Sequence, residues 1–289
     1  MIARPAALGS LIVLQSLLYG FGDPISKIAY ERLPVPVLLT LRFALALLPL
    51  GLLLYLRQGR RLRSLPWREC LPAALCIALC YILSNVALSL TEATSVAFLR
   101  SLAAVITPFL AWLLLKRRYA RSHLLPLLGA IAGLYLLCAK GGLSGFGAGE
   151  IITLCSSTFM ALSLVYSARS LDSADPLLLT TMQVTCCALL AALFSVLSAP
   201  QITHPQAWSV SVWAIILYLA YACTLAGFWL QNLALRGISA ARVALLQSSA
   251  PVFTALFSWL LLDERLSYLG MLGAGLIVVC VAAEALLKE

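Results

Sequence analysis

The chain has 289 residues, 62% of them hydrophobic and 11% charged, and a mean hydropathy of +1.00 that excludes a water-soluble globular domain. Its formal net charge of +9 lies mostly between apolar runs, which argues for a bilayer and against nucleic acid. Nine cysteines and two histidines, His123 and His204, show no metal-ligand spacing, so neither a metal nor another cofactor is expected, and the cysteines read as small packing residues.

A membrane span needs about 20 apolar residues. Ten such segments separate, at 6–29, 34–56, 70–90, 94–115, 123–139, 149–168, 177–198, 210–234, 239–262 and 266–287. Little chain is left over for a soluble active site, and no acid/base constellation stands out, so an enzyme is not expected. The first run reads as a span and not a signal peptide, because no small-residue cleavage site follows it.

Segment one carries Gln15, Tyr19, Asp23, Lys27 and Tyr30 at spacings that place them on one helical face. Pro24 predicts a kink or break there, and Asp23 and Lys27, four apart, are placed to pair. Lys27 suits either an interfacial position, with its stem buried and its head in water, or the lining of a cavity. Segment two contains Arg42 a few residues inside its end, where an ionisable side chain needs a partner or water. The Arg57 to Arg68 cluster that follows is a topology signal.

Segment three sets Tyr81 and Asn85 four apart, with Glu92 on the same face near its end. Bridging between helices and lining a pocket both fit these residues. Segment four contains Arg100, one of the deepest charges in the chain. A basic residue at a helix centre costs about 2.5 to 3.5 kcal/mol, so a ligand or an acid such as Glu92 or Asp23 must offset it. Pro108 and Pro251 predict kinks in segments four and nine. Segment five has Gly129 and Gly133, a spacing that permits close helix contact for support or dimerisation. Segments six and seven offer uncharged hydroxyls and amides, Ser156, Ser163, Thr180, Thr181 and Gln183 among them. Segment eight carries Phe228, Trp229, Gln231 and Asn232.

The stretch Tyr81–Tyr119 lies without a gap on Phe228–Leu266 at a shift of 147 positions, matching Asn85 to Asn232, Ser101 to Ser248, Thr107 to Thr254 and Trp112 to Trp259. The chain is therefore an internal duplication, divided as 1–143 and 144–289. Two positions differ tellingly. Arg100 faces Gln247 in the alignment, and Lys116-Arg117-Arg118 faces Asp263-Glu264-Arg265.

With the N-terminus cytoplasmic, 14 of the 20 basic residues fall on cytoplasmic segments: Arg4, Arg57, Arg60, Arg61, Arg63, Arg68, Lys116, Arg117, Arg118, Arg121, Arg169, Arg236, Arg242 and Lys288. Arg32, Lys140 and Arg265 fall outside. This positive-inside bias sets both termini in the cytoplasm. Five spans per copy is an odd number, so the copies run in opposite senses. The expected fold is an all-α polytopic membrane protein, ten transmembrane helices forming two inverted five-helix repeats around a central cavity.

Tyr19-Gly20 with Lys27, the Leu41-Arg42-Phe43 entry of segment two, Thr94–Cys138 with Pro108 and Gly129, and Ala241–Ala283 with Pro251, Asp263-Glu264-Arg265 and Gly273 together resemble the drug/metabolite transporter superfamily, in its ten-helix EamA-type carriers. The resemblance covers essentially the whole chain. It implies a cavity built mainly from segments one, three, four, six, eight and nine, in a family that exports amino acids, drugs and other metabolites or exchanges sugars and nucleotide-sugars. The chain departs from the family pattern at Lys116-Arg117-Arg118, where an acidic ending is frequent, and at Asp23, where small polar residues are usual.

The expected function is alternating-access export, across the inner or plasma membrane, of a small zwitterionic or anionic metabolite such as an amino acid. This rests on the cations Lys27 and Arg100 outweighing the acids Asp23 and Glu92 at the cavity. The alternative is an uptake or exchange carrier for an organic anion or sugar derivative. Substrate contacts are expected from Tyr19, Lys27, Tyr81, Asn85, Arg100, Trp229, Asn232 and Gln247, and coupling from Asp23 and Glu92. The expected partners are the small-molecule substrate, the lipid bilayer and a proton, the protein being a monomer or homodimer.

Overall fold

The computed structural model describes residues 5–59, 66–116, 124–138, 147–264 and 267–286, and among them all regular structure is helical. Seven spans are single helices: α1 (Pro5–Tyr30), α2 (Val35–Gln58), α3 (Trp67–Leu90), α6 (Leu124–Cys138), α7 (Ala148–Ser170), α8 (Pro176–Ser198) and α13 (Tyr268–Leu286). Three are compound: α4 (Ala93–Arg100) with α5 (Ala103–Leu115), α9 (Val210–Tyr218) and α10 (Gly227–Leu235) around a π-helical segment (Leu219–Ala226), and α11 (Ala240–Gln247) with α12 (Ala250–Leu262). Eight of the ten are long and apolar enough to cross a membrane, and α6 and α13 add two shorter apolar stretches. Helices satisfy the backbone internally, which lipid cannot do.

Local sequence sets the ends. Pro176 opens α8 behind an extended Asp175, at a position where the missing N–H has no helical partner to lose. Ser239 opens α11 by accepting the Arg242 N–H at 3.4 Å. The last turns of α5 and α12 close on Lys116 and Asp263, both left-handed, with φ of 53° and 55°.

The duplication is visible in these lengths. Helices α4 and α11 have 8 residues each and α5 and α12 have 13 each. The breaks between them, at Ser101-Leu102 and Ser248-Ser249, occupy aligned positions. The irregularity therefore does not coincide with the prolines. Pro108 lies inside α5, Pro251 sits in the first turn of α12 where proline fits, and α1 runs unbroken through Pro24. The break expected at Pro24 is absent; Ser26 donates to the Gly22 carbonyl at 2.7 Å within the same turn.

Glycine brings the two repeats together. A Cβ at Gly20 would lie 2.3 Å from the Phe253 Cβ, so only glycine lets α1 approach α12 this closely. Gly129 and Gly133 meet Cys280 and Gly273 of α13, so these notches support the chain's own packing. Leu48, Leu52, Leu56, Phe109, Trp112, Leu113, Leu125 and Trp259 are exposed on the outside, where the bilayer covers them. Of the charges that set the expected orientation, Arg4, Arg60, Arg61, Arg63, Arg117, Arg118, Arg121, Lys140, Arg265 and Lys288 lie outside the described residues, as does His123.

Candidate functional site

The seam between the repeats encloses two adjoining cavities. The larger is lined by residues of α1, α3, α4, α5, α7, α11 and α12, including Ser16, Tyr19, Tyr81, Ser84, Arg100, Met160 and Gln247. The smaller is lined by Tyr19, Gly22, Asp23, Arg42, Tyr81, Asn85, Arg100, Leu219 and Cys223, and so shares Tyr19, Tyr81 and Arg100 with the first. Their volumes, about 40 and 20 Å³, hold roughly three waters and one.

Arg100 is the last residue of α4, about 10 Å along the helix from Ala93 at 1.5 Å per residue. Its Nη2 donates to Asp23 Oδ2 at 2.7 Å and its Nη1 to Ser84 Oγ at 3.3 Å. Thr254 Oγ1 reaches the same Asp23 oxygen at 3.5 Å. The pairing expected within one helix, Asp23 with Lys27, is replaced by one between α1 and α4, since the guanidinium presents two donors to the carboxylate. Glu92, the other acid considered for Arg100, is exposed ahead of α4 and lines neither cavity.

Gln247, the counterpart of Arg100, donates to Gln15 at 3.0 Å and to Gln231 at 2.9 Å. Gln15 in turn donates to Gln231 and to the Tyr19 hydroxyl, both at 3.2 Å. This amide cluster forms the neutral side of the seam, opposite the ionic side at Asp23 and Arg100.

Lys27 sits at one end of the bundle, 3.2 Å from Glu264. Glu264 also accepts the backbone N–H groups of Ala93 and Thr94, at 3.2 and 3.3 Å, and the Thr94 hydroxyl at 2.7 Å. A carboxylate at a helix N-terminus meets both its unpaired donors and the positive end of its dipole. Burial raises the Glu264 pKa, but the Thr94 hydrogen bond and the Lys27 charge outweigh it, and the net shift is below the ordinary glutamate value. Thr91 donates to Glu150 at 2.5 Å across the same end. The Lys27 end is thus latched between repeats by polar groups. Towards the other end the repeats meet through apolar side chains, among them Leu8, Ile12, Ala111, Leu235, Ile238 and Val243.

Tyr19, Tyr81, Asn85, Arg100, Gln247 and Asp23 therefore converge on the cavities, while Lys27, Glu92, Trp229 and Asn232 lie apart from them. Trp229 borders an apolar surface groove with Pro49, Leu50 and Leu53. Asn232, fully buried, donates to Thr180 and Gln183 at 2.9 and 2.8 Å and ties α10 to α8. Glu264 is a latch residue that charge in the sequence marks without showing its partner. Thr224, which holds Arg42 at 2.7 Å, leaves no sequence signal because its position depends on the π-helical segment.

Two five-span repeats packed around a charged seam define a membrane carrier. The EamA-like transporter family model matches residues 8–139 and 147–283, and the chain belongs to that family. It is similar to an uncharacterized transporter of Archaeoglobus fulgidus, 26% identical over 275 residues, covering 95% of this chain and 84% of the relative. It also resembles the uncharacterized transporter YyaM of Bacillus subtilis, 22% identical, covering 60% of this chain and 58% of that one. A crystal structure superposes with a TM-score of 0.75 at 19% identity, covering 98% of this chain and 96% of the other, and so shares the fold. The chain is a multi-pass membrane transporter.

Proposed function

We propose that this transporter works by alternating access and exports a small zwitterionic or anionic metabolite such as an amino acid across the inner membrane, with both termini cytoplasmic. The observation that carries this reading is the charge of the seam: Arg42 and Arg100 line the cavities and Asp23 is the one carboxylate among the described lining residues. Lys27 and Arg100, the cations first counted, each hold an acid, so the surplus positive charge comes from Arg42. A carboxylate is the natural counterpart of a guanidinium. In this orientation the Lys27 end faces outward and is shut.

Asp23 is the proposed proton carrier. We take the working unit to be a monomer or homodimer. Counterflow in proteoliposomes tests the cargo class: amino acids should accelerate exchange of a labelled amino acid, and Arg100→Ala should abolish it while the protein still reaches the membrane. Unchanged flux in Arg100→Ala would remove that residue from the site. Exchange driven only by sugar phosphates or dicarboxylates would favour an organic-anion exchanger.

A further inference from the structure

The charges of the seam leave one cation over. Arg100 is held by Asp23 and Lys27 by Glu264, whereas Arg42, 4% exposed, has no carboxylate within salt-bridge distance among the described residues. Its Nε donates to Thr224 Oγ1 at 2.7 Å. Its Cζ stands 5.3 Å from the centroid of the Tyr81 ring and 5.4 Å from that of Phe43, within cation–π range. These contacts fix the inner edge and the stacking of the guanidinium. Neither contact engages its two Nη groups, the fork that fits a carboxylate, and Arg42 lines the smaller cavity.

The seat is specific. Thr224 is fully buried and donates its own proton to the Leu219 carbonyl at 2.9 Å, so its oxygen presents only lone pairs to Arg42. Leu219 lies five residues back, the repeat of the π-helical segment that begins there. A buried, oriented and uncompensated cation at membrane depth is costly to keep unless something binds it.

We propose that Arg42 receives the carboxylate of the transported molecule in the smaller cavity, with the molecule's apolar remainder in the larger one. This rests on the reading of the chain as a carrier of zwitterions or anions. The remainder is assigned from the larger cavity's wall, which includes Cys80, Ala103, Met160, Ala244 and Ala250. Asp23 Oδ1 in the smaller cavity has only a long contact to Arg100 Nη1, at 3.5 Å, and has capacity for an ammonium group beside the carboxylate.

The test uses the purified full-length protein and two matched pairs of probes, L-leucine with leucinol and L-phenylalanine with phenylalaninol, each alcohol lacking only the carboxylate. Titrated thermal unfolding should show at least one amino acid binding about tenfold or more tightly than its alcohol, the size expected for a charged hydrogen-bonded pair. Arg42→Gln should bring the two affinities together. Thr224→Val, which removes only the seating hydroxyl, should narrow the ratio and serves if Arg42→Gln does not fold. If either amino acid exchanges in counterflow but the ratio survives in both variants, the assignment of Arg42 falls and the carrier reading stands. If neither amino acid binds nor exchanges, both fall.

Discussion

Glu264, just past α12 in the second repeat, accepts from Thr94 in the first turn of α4 in the first repeat, and through Lys27 it also holds α1. One carboxylate thus closes three elements at one end of the seam. Glu264→Gln keeps the shape but loses the charge that both Lys27 and the helix N-terminus require. We expect the Lys27 end to open more often in this variant. Cys80 lines the larger cavity and reports on it: its labelling by a maleimide, followed by mass spectrometry, should be several-fold faster in Glu264→Gln than in the parent. Equal rates would remove Glu264 from the latch.

The same carboxylate makes the latch sensitive to acid. The Glu264 pKa lies below its ordinary value in the closed state, so its contribution is complete above the ordinary glutamate value and is lost as pH falls through the depressed one. Cys80 labelling should accelerate as the pH on the Lys27 side falls below about 4, after correction for thiolate fraction with a model thiol. Glu264→Gln should show no such acceleration.

Removing Asp23 alone leaves the part-buried Arg100 without its carboxylate partner. Breaking one side of a fully buried ion pair costs about 3 to 5 kcal/mol; this pair is partly exposed, so Asp23→Asn should lower the thermal unfolding midpoint in detergent by less than that cost implies. The double substitution Asp23→Asn with Arg100→Gln removes both charges and should recover most of the loss. A double variant as unstable as the single one would show that Asp23 acts through contacts other than Arg100.

Gly20 offers a steric test. Alanine there would put its Cβ 2.3 Å from Phe253 Cβ and 2.9 Å from the Phe253 and Thr254 backbone, so α1 and α12 must separate. Overpacking of this kind costs about 1 to 3 kcal/mol. Gly51→Ala, with nothing within 4 Å, is the matched control and should leave the midpoint unchanged or slightly raised. Transport should fall with Gly20→Ala and not with Gly51→Ala.

The spans were legible because a membrane helix declares itself by length and hydropathy, and the observed ends fall within a few residues of the expected ones. The breaks were not. Ser101-Leu102 and Ser248-Ser249 contain neither glycine nor proline, and Pro24, the strongest local signal, sits in an unbroken helix. Charge was legible as depth and only in part as partnership: Asp23 was one of two acids offered to Arg100 and is its partner, whereas a spacing of four also offered Lys27 to Asp23, and packing gave Lys27 to Glu264 instead. Trp229 follows the π-helical segment and borders an apolar groove with Pro49 and Leu50, away from the two cavities.

The unequal pair Arg100 and Gln247 has a consequence for the transport cycle. Two identical halves placed upside down would make the states open to either side equal in energy, since turning the molecule over would interchange them. Here the first half brings an arginine to the seam and the second an amide, and one end closes on an ion pair while apolar packing dominates towards the other. That degeneracy is lifted by the chain itself. Under the alternating access proposed above, the carrier rests with a preferred side before any gradient acts on it.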